Sequence, residues 1–539
     1  MRTLSHKIIL LITPVILLAL ALARVNAGDD EILSLVPWPF EIVRSTGEFH
    51  MSRSANIFSS ADARNTAKLT AADIRERFGI SIDVTVVPQY GGFIMAMANT
   101  GIPETPPPAS PNGEESYKLI ANPESTTIVS RNSRGLYWGT RTLLQLMRLK
   151  KDEIVIPGVE VTDMPRFPRR SLLVDPARNF ISMSYLKRTV GIMADYKYNV
   201  LHLHLTDDQG WRFESRKHPR LHEVGGDGVY YTRRQLIDLV KYAAERGVEI
   251  LPEIDMPGHA TAMIYAYPEL SCGGKVEKTE RKVGILPYAL CPAKEEVYDF
   301  VKDVLAETAE TFPSDFIHVG SDEVLAYDWD SCPMCAQLKK TERLDGKHGL
   351  HAYFLKRVGK ILDGLGKRMI VWDEATHLAP RGTVIQAWRK RQWAYESASA
   401  GKTTLCGPIG HTYINYSRFI LPLRKCYRFE PVPPGLDPNA EKLIIGGGAN
   451  IWGNYVKSED DLDRYLFPRL LALSEVYWSP RSARDFDSFQ NRMEIRRKSL
   501  EKRGVVFGDT GLETAGDALR TVGMLVKGGA QMVKDRIAH

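Results

Sequence analysis

From about residue 166 onward the chain alternates short apolar runs with amphipathic segments, the pattern of parallel strands joined by helices. Eight runs stand out: Ser171–Asp175, Asn199–Leu205, Val248–Ile254, Phe316–Gly320, Met369–Trp372, Thr383–Trp388, Thr403–Cys406 and Ile444–Ile451. The segments between them carry helical periodicity. In Gln235 to Arg246, Leu236, Leu239, Val240 and Ala243 share one face, and Gly247 supplies a C-terminal stop. Eight strand–helix units predict an α/β fold, a (β/α)8 TIM barrel over residues 166–505 with some enlarged loops. An open doubly wound sheet would carry a Gly-rich phosphate turn after its first strand, and none follows Asp175.

Residues 28–165 read as a smaller α/β domain without a catalytic constellation. Phe93 to Met97 and Tyr117 to Ile120 have strand character, Ala67 to Phe78 and Gly139 to Met147 helix character, and Pro103 to Pro111 is a loop. At the N-terminus, Arg2 and Lys7 precede an apolar run from Ile8 to Ala23, and Val25-Asn26-Ala27 has the small residues of a cleavage site. Residues 1–27 therefore predict a signal peptide, with an uncleaved anchor as the weaker reading, and place the protein in the secretory pathway. The tail, 506–539, has weak helical periodicity and supports no functional reading.

Composition changes this picture little. Of 539 residues, 44% are hydrophobic and 25% charged, as in an ordinary globular protein, and the formal charge of +6 is scattered rather than gathered into the stripe a nucleic-acid binder needs. Six cysteines (Cys272, Cys291, Cys332, Cys335, Cys406 and Cys426) in an exported chain predict disulfides, whose pairing sequence leaves open. Cys332-Pro-Met-Cys335 has the form of a zinc or redox pair, but neither a second such pair nor a suitably spaced His cluster accompanies it.

The chemistry gathers at the C-terminal ends of the barrel strands, where such enzymes keep their active sites. Strand one ends in Asp175 with Arg178 beyond it, strand two in Asp207-Asp208, strand three in Asp255 to His259, and strand four in His318 to Glu323. Strands five, six and eight end in Trp372, Trp388 and Trp452. A single Asp in such a place is as often a helix cap, and a single Trp is usually core. Four acidic ends and three indoles around one mouth suit a sugar, whose ring face stacks while its hydroxyls find polar partners. Adjacent Asp322 and Glu323 do not match the usual pair of carboxyl groups facing each other across a glycosidic bond. Neighbouring side chains leaving a strand point in different directions, so only one faces the glycosidic oxygen easily. A C2 acetamido group is a natural target for the other. In this reading ionised Asp322 steers the amide, and its charge raises the pKa of the acid Glu323.

At these residues the chain closely resembles glycoside hydrolase family 20, the β-N-acetylhexosaminidases. The matching motifs are Asp163 to Arg170, Asp175 to Arg178, His202 to Gln209, Pro252 to His259, His318 to Glu323 and Phe467 to Ala472, in the family's order, and the resemblance covers about residues 35 to 505. It implies a retaining, substrate-assisted hydrolysis that releases terminal β-linked GlcNAc or GalNAc, with Glu323 as acid/base and Asp322 orienting the acetamido group. It implies that Tyr413 bonds the acetamido carbonyl, that Trp372, Trp388 and Trp452 wall the pocket, and that Arg178 holds the sugar's O3 and O4. Asp255 and His259 would form a polar relay behind Glu323, and Asp207 would belong to the same shell. The resemblance implies no metal or organic cofactor; it implies a glycan partner, admits a homodimer, and points to a lysosomal or extracellular site of action.

Three positions depart from the family's pattern. Ser321 replaces the usual Gly before the Asp-Glu pair, a small change expected to leave the strand end intact. Asn415 and Asn454 stand where relatives carry carboxylates that bind O4 and O6, so two charge-assisted hydrogen bonds become neutral ones. A shifted O4/O6 specificity and a glycan-binding descendant without turnover are the alternative readings. Asn415-Tyr416-Ser417 is also the only N-glycosylation sequon, and a pocket position would keep it unmodified.

Overall fold

A computed structural model describes residues 33–52, 55–88, 92–98, 114–273, 276 and 284–508. The expected signal peptide, the Pro-rich run and the tail beyond residue 508 lie outside the described residues. Among the described residues no helix is long and apolar enough to cross a membrane.

All eight expected runs form strands, and they close into one parallel barrel: β1 (Arg169–Val174), β2 (Val200–His204), β3 (Glu249–Glu253), β4 (Phe316–His318), β5 (Arg368–Trp372), β6 (Val384–Ala387), β7 (Thr404–Cys406) and β8 (Ile444–Ile451), with β8 returning to pair with β1. Closure removes both sheet edges, so every strand's backbone groups are paired on two sides. The interior layers differ in chemistry. Val200, Leu251, Ile370, Val384 and Leu405 form a dry cluster among the strands. Above it, His202, Glu253, His318 and Trp372 turn polar atoms toward one another, all of them buried.

Ahead of the barrel lies an eight-stranded sheet, in the order Glu41–Met51, Glu153–Asp163, Tyr117–Ala121, Ser125–Ser130, Phe93–Ala98, Asn56–Ser59, Asp83–Val86, with Arg148–Lys150 off that path. Helices Arg64–Phe78 and Ser133–Leu146 pack on it. This unit is clamped to the barrel by buried polar contacts. Asp163 Oδ2 accepts from Lys197 Nζ at 2.6 Å and from the Tyr117 hydroxyl at 2.6 Å, while its Oδ1 accepts from Trp478 Nε1 at 2.9 Å. Arg170 of β1 pairs with Glu115 of the sheet unit at 2.7 Å.

The helix expected from Gln235 begins two residues earlier, at Arg233, and runs to Ala244. Thr232 and Gln235 form a reciprocal capping box, which fixes the first turn ahead of the apolar face that marks the helix in sequence. Gly247 then takes a left-handed conformation, φ 70°, and turns the chain into β3.

Candidate active site

The loop after β4 is bent sharply before it delivers its carboxylates. Gly320 has φ 62°, and a Cβ there would lie 1.8 Å from Asp255 Oδ1. Ser321 (φ 74°) and Glu323 (φ 48°) also occupy the left-handed region, as does His259 (φ 48°) on the loop after β3. Non-glycine residues held there cost of order 1–3 kcal/mol each and persist only where surrounding contacts enforce them. The enforcing contacts are visible: Ser321 N–H donates to Asp255 Oδ1 at 3.0 Å, the Ser321 hydroxyl bonds His351 Nε2 at 2.6 Å, and Glu323 N–H donates to Glu374 Oε2 at 2.8 Å. Ser321 thus leaves the turn intact by gaining a partner that glycine would lack.

Asp322 and Glu323 open onto a cavity of about 160 Å³ whose walls include Arg178, Trp388, Tyr413, Asn415, Trp452 and Asn454. Trp388 stacks on Tyr413 with centroids 6.1 Å apart, and Trp452 lies 6.1 Å from Tyr413 on another side. Trp372 does not wall this cavity. It is 1% exposed and packs 6.0 Å behind Trp452 while its indole N–H donates to Glu253 Oε1 at 2.9 Å. The strand end places the ring one layer below the mouth, where the buried Glu253 needs a donor. Asn415 is 4% exposed and accepts from Trp452 N–H at 3.4 Å, which leaves no space for an attached glycan at the sequon.

Behind the carboxylates runs a buried polar chain. His259 Nε2 lies 3.5 Å from Glu323 and 3.8 Å from Asp322, and its Nδ1 is 3.3 Å from both Asp207 and Asp208. Asp207 continues to Arg178 and to His204 Nε2 at 2.7 Å, and His204 Nδ1 meets Glu253 Oε2 at 2.6 Å. Arg178 is held further by Asp175 at 3.1 Å and by Gln209 at 3.2 Å, over the Trp452 ring. Glu253 is the hub: besides His204 and Trp372 it meets His202 at 3.0 Å and His318 at 3.0 Å.

Electrostatics follow from this arrangement. Burial works against charge on His259, yet Asp207, Asp208 and Glu323 outweigh it and hold the imidazole well above its ordinary value. Burial opposes charge on Asp207 too, but Arg178, His259 and His204 keep that carboxyl well below the ordinary range. Asp255 goes the other way: burial, with Glu253 and Asp207 nearby, pushes it up to about 7 against the pull of His259. Asp322 is likewise pushed well up, by burial first and by Asp255 next. A buried carboxyl beside another carboxyl is held up in this way because both surroundings disfavour its charge. Burial and then Asp322 hold the Tyr413 phenol well above its ordinary value, so it stays a hydrogen-bond donor.

Of the expected site residues, Arg178, Asp322, Glu323, Trp388, Tyr413, Asn415, Trp452 and Asn454 line the cavity, and Asp207, Asp255, His259 and Trp372 lie behind it. Sequence reasoning missed Glu374, Glu253, His202 and His204. Glu374 follows directly after Trp372, and reading on past the indole would have found it. His202, His204 and Glu253 stand at the inward-facing alternation of β2 and β3, inside motifs already noted, a period-two signal that points them at the barrel axis. Among the described residues, side-chain atoms that could share one metal ion include His202, Glu253 and His318, but Glu253 already holds those two imidazoles directly.

Comparison with known proteins places this geometry in a family. The sequence model of "Glycosyl hydrolase family 20, catalytic domain" matches residues 167–481, and that of "Glycosyl hydrolase family 20, domain 2" matches 33–164. A beta-hexosaminidase of Porphyromonas gingivalis is 32% identical over 508 residues, spanning 88% of this chain and 64% of that protein, so this chain matches less than two thirds of that relative. A beta-hexosaminidase of Akkermansia muciniphila is 33% identical over 72% of this chain and 84% of its own length. Among solved structures, the GH20 exo beta-N-acetylglucosaminidase of Vibrio harveyi, in complex with N-acetylglucosamine, superposes with a TM-score of 0.79 at 27% identity, covering 89% of this chain and 79% of that one.

Proposed function

We propose for this chain, which belongs to glycosyl hydrolase family 20, the activity of an exo-acting β-N-acetylhexosaminidase that removes terminal β-linked GlcNAc or GalNAc from glycans with retention of configuration. The observation that carries the reading is a set of buried polar atoms at the cavity without partners: Asp322 Oδ1, Trp388 Nε1 and Asn454 Oδ1. Each costs about 1–3 kcal/mol if left unmet, so their convergence on one small cavity calls for a polar ligand. A sugar ring of one residue's size, with hydroxyls and an amide, meets them, and the small volume favours a chain end over an internal position.

In this mechanism Glu323 donates its proton to the departing glycosidic oxygen as the bond from that oxygen to C1 breaks. The acetamido oxygen attacks C1 from the opposite face and closes an oxazolinium ring. Asp322, as the carboxylate, accepts the amide N–H and stabilises the positive charge that develops on the oxazolinium ring. Tyr413 donates to the acetamido oxygen and fixes the angle of attack. Glu323, now a carboxylate, takes a proton from water as the water adds to C1, and the ring reopens with the original configuration restored. His259, Asp207 and Arg178 supply the relay that holds Glu323 and the sugar's far hydroxyls in register.

The neutral amides Asn415 and Asn454 favour one further reading, a preference for sugars substituted at O4 or O6, since no carboxylate there repels an anionic substituent. Retention of Asp322, Glu323 and Tyr413 in one cavity favours turnover over binding alone. We also propose export, lysosomal or extracellular, on the N-terminal pattern. The deciding measurement is hydrolysis of chromogenic β-GlcNAc, β-GalNAc and 6-sulfated β-GlcNAc glycosides by the purified protein. Inactivity on all three would end the hydrolase reading, and faster turnover of the sulfated substrate would select the shifted specificity.

A further inference from the structure

The loops leaving β3 and β4 carry four cysteines that the proposed reaction does not use. Cys272 and Cys291 lie beyond β3 and Cys332 and Cys335 beyond β4, and all four Sγ atoms fall within 4.8 Å of one another. None of the six cysteines is joined to another, in contrast to the disulfides that export leads one to expect. The second pair missing from the sequence pattern is Cys272 with Cys291. It escapes a spacing rule because the two are far apart in the chain and are brought together only where Ser271 bridges to Leu290.

The Cys335 sulfur lies 3.6 Å from that of Cys272 and 3.8 Å from that of Cys291. Sulfurs in a disulfide stand about 2.05 Å apart. Four thiolates each about 2.3 Å from a central zinc ion stand about 3.8 Å apart along the edges of the tetrahedron. The surroundings suit thiolates. Cys332 caps the helix Pro333–Thr341 and Cys335 sits in its first turn, where the positive end of the helix dipole favours sulfur anions. Trp329, Leu350, Ala289 and Ala326 pack around the sulfurs and shield them from water. Trp329 also ties the two loops together, its indole N–H donating to Leu290 O at 3.1 Å.

We propose that Cys272, Cys291, Cys332 and Cys335 form a tetrathiolate site for one zinc-class divalent ion, which clips the loop after β3 to the loop bearing Asp322 and Glu323. Soft sulfur ligands in a tetrahedron select zinc and reject calcium or magnesium. On binding, the ion replaces the four thiol protons, which pass to solvent, and leaves a dianionic centre with no change of oxidation state. The ion has no open position for water, so its role is structural, and it acts on the chemistry by holding the short stretch between Glu323 and Cys332.

The test uses the full chain purified without chelator. Elemental mass spectrometry should find about one zinc per chain. Exchange with cobalt(II) should produce the thiolate-to-cobalt charge-transfer band and the intense visible bands of a tetrahedral sulfur site. Cys332→Ser should drop the metal content roughly tenfold or more, whereas Cys406→Ser should retain it. Because the wild-type stoichiometry and cobalt spectrum need no variant, a Cys332→Ser chain that fails to fold leaves the test standing. Protein that takes up neither zinc nor cobalt overturns the site, whether non-reducing peptide mapping finds the four sulfurs as two disulfides or as free thiols. Metal content and glycoside hydrolysis are read separately, so an active, metal-free enzyme would overturn this site and leave the proposed function intact.

Discussion

Asp322 and Glu323 are neighbours in sequence that meet different surroundings. Glu323 keeps 23% of its side-chain surface and faces the cavity mouth, while Asp322 keeps 13% and looks toward Asp255 and His259. Glu323→Gln should lower kcat on a glycoside with a poor leaving group by roughly 10²–10⁴, and by less on an aryl glycoside whose leaving group needs no proton. Equal losses on both substrates would argue against its role as acid. Tyr413→Phe removes one donor to the acetamido oxygen and should cost about 10²–10³ in kcat. The Asp255 carboxyl moves from 3.8 to about 7, so between those values the folded protein holds a proton that the unfolded chain has released. Its contribution to stability is therefore complete below the unfolded value and is lost as pH rises through the folded one. Thermal melting should show wild type losing more stability than Asp255→Asn as pH climbs through that window; parallel curves would mean the carboxyl is not buried neutral.

At the scale of elements, the bend at Gly320 and the helix starting at Arg233 put opposite demands on the chain. The bend is tight because Asp255 occupies the place a side chain would take, so Gly320→Ala must displace the residue that orients Ser321. That variant should fall in both stability and kcat, as urea unfolding and glycoside hydrolysis would show; full activity would mean that the Asp255 contact does not shape the site. Thr232 only caps a helix on the barrel's outside. Thr232→Ala should cost about 1 kcal/mol in urea unfolding and leave kcat unchanged. The eight strands were legible because each is an apolar run with turns around it. The start of the helix was misplaced by two residues because its cap is polar and carries no periodicity.

For the whole molecule, Asp163 is one buried centre of the joint between the sheet unit and the barrel, beside Glu115 with Arg170 and Asp195 with Arg77. Asp163 holds Lys197, Tyr117 and Trp478 at once, all buried. Asp163→Ala leaves the Lys197 ammonium without its counter-ion and should destabilise the protein by roughly 3–5 kcal/mol, measured by chemical denaturation. A loss no larger than that of an exposed substitution would show that the joint lies elsewhere.

The alternation of apolar runs determined the barrel, since period and run length are local properties; the strand ends named the acid pair and Arg178, and the family resemblance named Tyr413 and both Asn positions, before any distance was known. Tertiary structure alone decided what those residues meet. It set Trp372 beneath the pocket, drew Glu253 of β3, His202 and His204 of β2 and His318 of β4 into one hub, placed Asp322 beside Asp255, and gathered four cysteines from two loops. Charge state and partnership depend on distances between residues far apart in the chain, and those distances exist only once the barrel has closed.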